Sequence, residues 1–186
     1  MSDSEKSMAE GIRRGDNRAM RDFYVSYGGL LTAVCSRYVA DDDDVKDVIQ
    51  ESLLSIISNI NTFEYHGKGS LRAWATRIVV NHALGFLRKQ KRTASIFVDD
   101  GQDIADDDTG DSPPDIGDIP AGVVTDMIRH LPEGYRMVFN LYVIEGKTHK
   151  EISRILGIKE DSSASQLHRA KAILAKKITE YRTKSR

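Results

Sequence analysis

Apolar residues recur along the chain at intervals of three and four, and no sustained period-two alternation interrupts them. The pattern therefore predicts helices and no sheet. Met20, Phe23, Tyr24 and Tyr27 mark one helical face, and Leu30, Leu31, Val34 and Tyr38 another. Val45, Val48, Ile49, Leu53, Ile56 and Ile60 form the stripe of a further helix. It is expected to begin at Asp43 or Asp44, where carboxylates favour the positive end of the macrodipole. A loop over residues 61–69, with glycines and aromatics together, precedes Ser70, the expected cap of a long helix running to about Arg92. Later, Val124, Ile128 and Leu131 mark one helix, and Tyr135, Val138, Phe139 and Tyr142 mark another after Pro132.

The last third carries the sharpest local signature. Thr148 and Glu151 have the spacing of a capping box, in which hydroxyl and carboxylate each satisfy an amide at the helix start. Gly157 stands where a helix ends in a left-handed residue, and a second helix follows from near Ser162. In that second helix Leu167, Ala170 and Leu174 form an apolar stripe, while Ser162, Ser165, Gln166 and Arg169 share the opposite face. Two amphipathic helices around a glycine turn can be a plain structural hairpin. A short polar face with an arginine, pinned from behind, also suits a DNA major groove.

Charge changes the picture from one protein body to two. The net charge of −1 over 186 residues conceals a run from Thr93 to Thr125 with no Lys or Arg, holding aspartates at 99, 100, 103, 106, 107, 108, 111, 115 and 118. Rich in Asp, Gly and Pro and poor in apolar residues, residues 95–120 have the composition of a flexible connector. The expected organisation is thus all-α, with one small helical domain over residues 1–94 and another over 121–186. Basic clusters flank the connector, Arg88-Lys89-Gln90-Lys91-Arg92 on one side and the tail from Arg169 to Arg186 on the other. Those are places where a polyanion can be met.

Several chemistries find no support. Cys35 is the only cysteine, which excludes an internal disulfide and a cysteine-based zinc site and suggests a buried thiol. The five histidines show no metal-ligand spacing, and no glycine-rich phosphate loop or nucleophile–base pair is recognisable, so no catalytic residue, metal, cofactor or small-molecule substrate is expected. No stretch reaches the roughly 18–20 apolar residues of a membrane span, and the first residues lack the apolar run of a signal peptide. A cytoplasmic location is expected.

On the long helix after Ser70, Trp74, Arg77, Asn81, Arg88 and Arg92 fall within an arc of roughly 60°. Such a face can neutralise phosphates and stack or hydrogen-bond exposed bases, as single-stranded or opened DNA requires. Leu84 lies in the same arc, which leaves open an ordinary solvated surface with Trp74 turned into the core. Asp47, Gln50 and Glu51 share the outer face of the preceding helix, either as a solvated acidic surface or as a docking site.

Taken together, these segments resemble the extracytoplasmic-function class of bacterial RNA polymerase sigma factors, in the family's order and over almost the whole chain. Asp43-Asp-Val-Lys-Asp-Val-Ile-Gln-Glu51 resembles the region that binds the polymerase clamp, which implies core RNA polymerase as partner and Asp47, Gln50 and Glu51 as contacts. Phe63-Glu-Tyr-His-Gly67, Leu71-Arg-Ala-Trp74 and Arg77-Ile-Val-Val-Asn81 are similar to the segment that opens the −10 element and captures a flipped base. The resemblance implies roles there for Phe63, His66, Trp74, Arg77, Asn81, Arg88 and Arg92. Leu131-Pro-Glu-Gly-Tyr-Arg-Met-Val-Phe139 and the helix-turn-helix resemble the region that reads the −35 element, implying promoter DNA contacts by Ser162, Ser165, Gln166, His168, Arg169 and Lys171. It also implies that the acidic linker threads a basic channel of the polymerase, and it brings an anti-sigma factor into view as a further partner. The chain departs from the family at Ser153 and Ser163, where alanine and valine are usual, and at Ala164 and Gln166, where basic residues are common. Two other readings stand beside it: a sigma-like decoy that binds an anti-sigma factor without touching DNA, and an ordinary helix-turn-helix repressor.

Overall fold

A computed structural model describes residues 4–93, 117 and 119–184, with only the backbone for 91–93. Nearly all of the acidic connector, and the side chain of Arg92, lie outside these residues. Two compact units emerge, Met1–Ala94 and Ser95–Arg186, and the described residues are helical in both.

In the first unit α1 (Ser4–Arg13), α2 (Asn17–Ser36), α3 (Asp42–Asn59) and α4 (Ser70–Thr93) pack around one core, with a 3-10 turn over Ile60–Thr62 after α3. Helix α1 has no counterpart in the apolar pattern above. Asp16 caps α2 through the Arg18 amide, and Asp41 caps α3 through the amides of Asp43 and Asp44 at 2.9 and 3.1 Å. The third helix therefore starts one residue before its expected range, because Asp41 is the cap. Leu31 from α2, Tyr38 from the turn that follows it, Val48 and Ile56 from α3, and Leu71, Ala75 and Val79 from α4 are essentially sealed from solvent. Ser52 is equally buried and resolves its hydroxyl by donating to the Val48 carbonyl at 2.6 Å. Cys35 lies in the same core, where burial pushes its thiol pKa up to about 12, so it is an inert packing residue.

Three expectations fail here. Tyr24 and Leu30 are exposed, since α2 turns only Ala19, Phe23, Gly28, Leu31, Val34 and Cys35 into the core. Tyr24 instead places its ring beside Gly28, 3.2 Å from where a Cβ would stand. Leu53 is half-buried at the edge of its stripe. Ser70 is the first residue of α4 rather than its cap, and its hydroxyl turns back to donate to the Gly67 carbonyl.

The second unit contains α5 (Ala121–Arg129), α6 (Glu133–Phe139), a π-helical turn over Asn140–Ile144, α7 (His149–Leu156) and α8 (Glu160–Lys184). The buried Arg136 closes the end of α5, its Nη1 donating to the carbonyls of Arg129 and Leu131 at 2.7 and 3.3 Å. Burial draws the guanidinium's pKa down against the opposing pull of Glu133. Asn140, also fully buried, donates its side-chain amide to the Arg136 carbonyl, and the ladder there widens so that the Glu145 amide bonds Asn140 O. This inserted turn breaks the 3.6 period. Tyr142, Val143 and Ile144 consequently face solvent, and Tyr142 is not the core residue its spacing predicted.

Around the helix-turn-helix the local reading holds. Thr148 and Glu151 form a complete capping box, and Gly157 ends α7 at φ +70°. The Thr148 amide and hydroxyl hold the Glu151 carboxyl below its ordinary pKa range. Ile152, Leu167, Ala170, Leu174 and Ile178 form the core stripe of the two helices.

Candidate nucleic-acid and polymerase surfaces

The loop before α4 is fixed at both ends by α1. Arg13 donates from Nε to the Ile60 carbonyl at 3.3 Å and from Nη2 to the Phe63 carbonyl. At the other end the Gly69 amide donates to Glu5 Oε2 at 2.7 Å, while the Tyr27 hydroxyl donates to Glu5 Oε1 at 2.7 Å. Burial opposes ionisation of Glu5, but Tyr27 and the amides of Gly69, Leu71 and Arg72 outweigh it and leave its pKa below the ordinary value. The carboxylate thus performs the capping that Ser70 does not. Gly67 and Gly69 adopt φ of +115° and +91°, and only glycine enters that region without strain.

Beyond the loop, Trp74 is half-buried and packs on the Phe63 ring with centroids 5.4 Å apart. Phe63 itself is only 3% exposed, so in the free chain its ring supports Trp74 and is not open on the surface, unlike the contact residue it was expected to be. Arg77, Asn81 and Arg88 are exposed along the arc, and Leu84 at its margin turns into the core. Arg88 Nε donates to the Leu84 carbonyl at 3.2 Å. His66 is exposed on the loop, its ring 3.7 Å from the Glu64 carboxylate. Trp74, Arg77, Asn81 and Arg88 therefore belong to one solvent-facing strip of α4.

On α3, Asp47, Gln50 and Glu51 are exposed together. Glu51 approaches His82 of α4, with 3.8 Å between Oε2 and Nδ1. The same strip continues one turn on to Leu54, 62% exposed, and Ile57. Leu54 follows Asp47 by seven residues, so a helical wheel would have found this apolar extension.

The exposed face of α8 is rotated from the predicted one. Its most open residues are Asp161, Ala164, Ser165 and His168, whereas Ser162, Gln166, Arg169 and Lys171 are half-buried. Gln166 folds against α6, where its side-chain oxygen occupies the notch left by Gly134, 3.0 Å from where a Cβ would stand. Gln166 accordingly is a packing residue rather than an outward reader. Arg169 Nη1 donates to the Tyr135 hydroxyl of α6 at 3.2 Å, which orients its guanidinium. Neither neighbour could be inferred from α8 alone.

Ser153 and Ser163 also acquire specific work. Ser153 donates its hydroxyl to the Ile158 carbonyl at 2.6 Å, tying the turn to α7. Ser163 is wholly buried and pairs its hydroxyl with His149 Nδ1 at 2.9 Å, and the His149 ring stacks on Tyr142 at 4.6 Å. A hydroxyl with a partner is tolerated in a core, so neither serine marks a collapsed recognition motif.

Comparison with known proteins agrees with this arrangement. The family described as Sigma-70 region 2 matches residues 23–93, and Sigma-70, region 4 matches residues 122–174. An ECF RNA polymerase sigma-E factor of Haemophilus influenzae is 26% identical over 184 residues, covering 94% of this chain and 95% of that protein. The factor of the same description from Escherichia coli K12 is 25% identical over 183 residues, covering 94% of each. A solved structure of CnrH in complex with the cytosolic domain of CnrY shares the fold over 96% of this chain and 99% of its own, with a TM-score of 0.50 and 20% identity. With a region 2 and a region 4 in the family's order and relatives matched over nearly their full length, the chain belongs to the extracytoplasmic-function sigma factors of the sigma-70 family, transcription initiation factors of bacterial RNA polymerase.

Proposed function

We propose that the two units divide the work of initiation, the first docking core polymerase and opening the −10 element, the second holding the −35 duplex. The observation that carries this reading is the strip of Trp74, Arg77, Asn81 and Arg88 on α4, reached directly from a glycine-shaped loop. Guanidiniums there neutralise the strand's phosphates, while the indole, supported by Phe63, offers a stacking surface to a base leaving the duplex. His66 is exposed on the loop that leads into α4. Arg92 would extend the basic end of the helix.

Asp47, Gln50, Glu51 and Leu54 of α3 form the polymerase-docking strip, in which carboxylates set the orientation and the leucine supplies apolar contact area. On α8 the readout falls to Ser165, His168 and Arg169, flanked by Ser162 and Lys171, with the basic tail adding affinity that is blind to sequence. No described helix is long and apolar enough to cross a membrane. We place the factor in the cytoplasm with the polymerase, where it contributes binding energy and leaves the chemistry to the core enzyme.

Run-off transcription with purified core polymerase and candidate promoters tests the assignment. A discrete promoter-specific transcript that depends on the chain and on Asn81 is expected. If the chain binds an anti-sigma factor tightly yet directs no transcription from any promoter, the decoy reading replaces this one. The paired hydroxyls of Ser153 and Ser163 remove part of the motive for that alternative, while Ala164 and Gln166, standing where basic residues are common, leave the rest to this assay.

A further inference from the structure

We infer that α1 is a positioning clamp for the promoter-opening loop, with Glu5 and Arg13 setting the placement of Trp74, an inference that rests on the reading of the α4 strip proposed above. The two residues lie eight apart on one helix, a span of about 12 Å. Between them they hold the start and the end of residues 60–69. Arg13 fixes the carbonyls of Ile60 and Phe63. Glu5 fixes the amide of Gly69. The loop between has two glycines at positive φ and so depends on outside contacts to hold one shape.

Both anchors converge on Trp74. Arg13 holds the backbone of Phe63, whose ring lies under the indole. Glu5 holds the residue before Ser70, where α4 begins, and so sets the start of the helix that carries Trp74 one turn later. Glu5 is 5% exposed, and burying a carboxylate is costly unless its acceptors are filled. An apolar residue of similar size would pack there more cheaply. The carboxylate therefore exchanges stability for geometry: its oxygens join α1, α2 and the head of α4 in one hydrogen-bonded junction.

The test compares wild type with Glu5→Gln, Arg13→Gln and the double variant, each as the full chain assembled on core polymerase. Affinity for core is measured by fluorescence anisotropy. Each holoenzyme is then titrated with a labelled single-stranded −10 oligonucleotide from a promoter mapped by run-off transcription, and with the same oligonucleotide carrying substituted −10 bases. Core affinity should stay within about twofold. The preference for the correct strand should fall roughly tenfold in the double variant, as expected for losing a charge-assisted hydrogen bond at the loop, with smaller losses in the single variants. Hydrogen exchange at the Gly69 amide should quicken in Glu5→Gln. If the double variant unfolds, Arg13→Gln alone carries the test, because Arg13 is exposed and its removal leaves no buried charge. Unchanged strand preference in a folded variant overturns the clamp. Where Trp74→Ala abolishes the preference in the same assay, the α4 reading survives that failure. Where Trp74→Ala has no effect either, both fall together.

Discussion

The two surfaces proposed to meet DNA are backed in different ways. On α4 the arginines and asparagine stand open on a helix whose other side is an apolar core, and a second aromatic ring supports the one aromatic among them. On α8 the polar residues are themselves partly used for packing: Gln166 fills a notch in α6, Arg169 leans on Tyr135, and Ser163 pairs with His149. A melted strand is flexible and moulds itself to exposed cations and rings. Duplex is stiff, so a helix that reads it must be held at one angle, and polar side chains shared with neighbouring helices fix that angle. The difference predicts that α4 variants lose strand capture while their fold survives, whereas α8 variants mix binding losses with repacking.

The largest effect is expected at Arg169. Arg169→Ala should weaken −35 duplex binding by roughly 10- to 100-fold if its guanidinium reads a base edge, while Gln166→Ala should change it by less than about threefold. Gel-shift titration at fixed salt distinguishes them, and equal effects would contradict the packing role of Gln166. On the first unit, Glu51→Lys should weaken core binding by roughly tenfold with unaltered circular dichroism, because a reversed charge meets a surface selected for a carboxylate. An unchanged affinity would remove the α3 strip as the docking site.

Smaller effects sharpen the contrast. Ser163→Ala strands the His149 nitrogen in a partly buried site and should destabilise the second unit by about 1–2 kcal/mol, read from urea denaturation. The first unit's transition should not move. Glu5 adds a pH signature in the opposite unit. Its folded pKa lies below the ordinary value near 4.5, so its stabilisation is full above that value and is lost as the pH falls through the depressed pKa. Acid melts of wild type should therefore converge toward those of Glu5→Gln as the pH falls below the ordinary carboxylate value. Parallel curves across that range would show that Glu5 is not ionised in the fold.

What could be read from the sequence was local. The stripe Val45, Val48, Ile49 and Ile56, the Thr148–Glu151 capping box and Gly157 each follow from residues within one or two helical turns, and the structure contains them all. What escaped depends on distant partners. Glu5 meets an amide 64 residues away, and Arg13 a carbonyl 50 residues away, so neither end of the clamp has a local signal. The orientation of Gln166 depends on the absence of a side chain at Gly134 in another helix. Asn140 gave no local signal either: it is buried with its side-chain amide on the Arg136 carbonyl, at the head of the π turn that leaves Tyr142 exposed.

Permanganate footprinting tests most directly the proposed opening of promoter DNA by the α4 strip. Core polymerase carrying the wild-type chain should make thymines in the −10 region reactive. Asn81→Ala, matched for core affinity, should leave them protected. Full reactivity with Asn81→Ala, and again with Trp74→Ala, would contradict the account and reduce the strip to an ordinary solvated helix face.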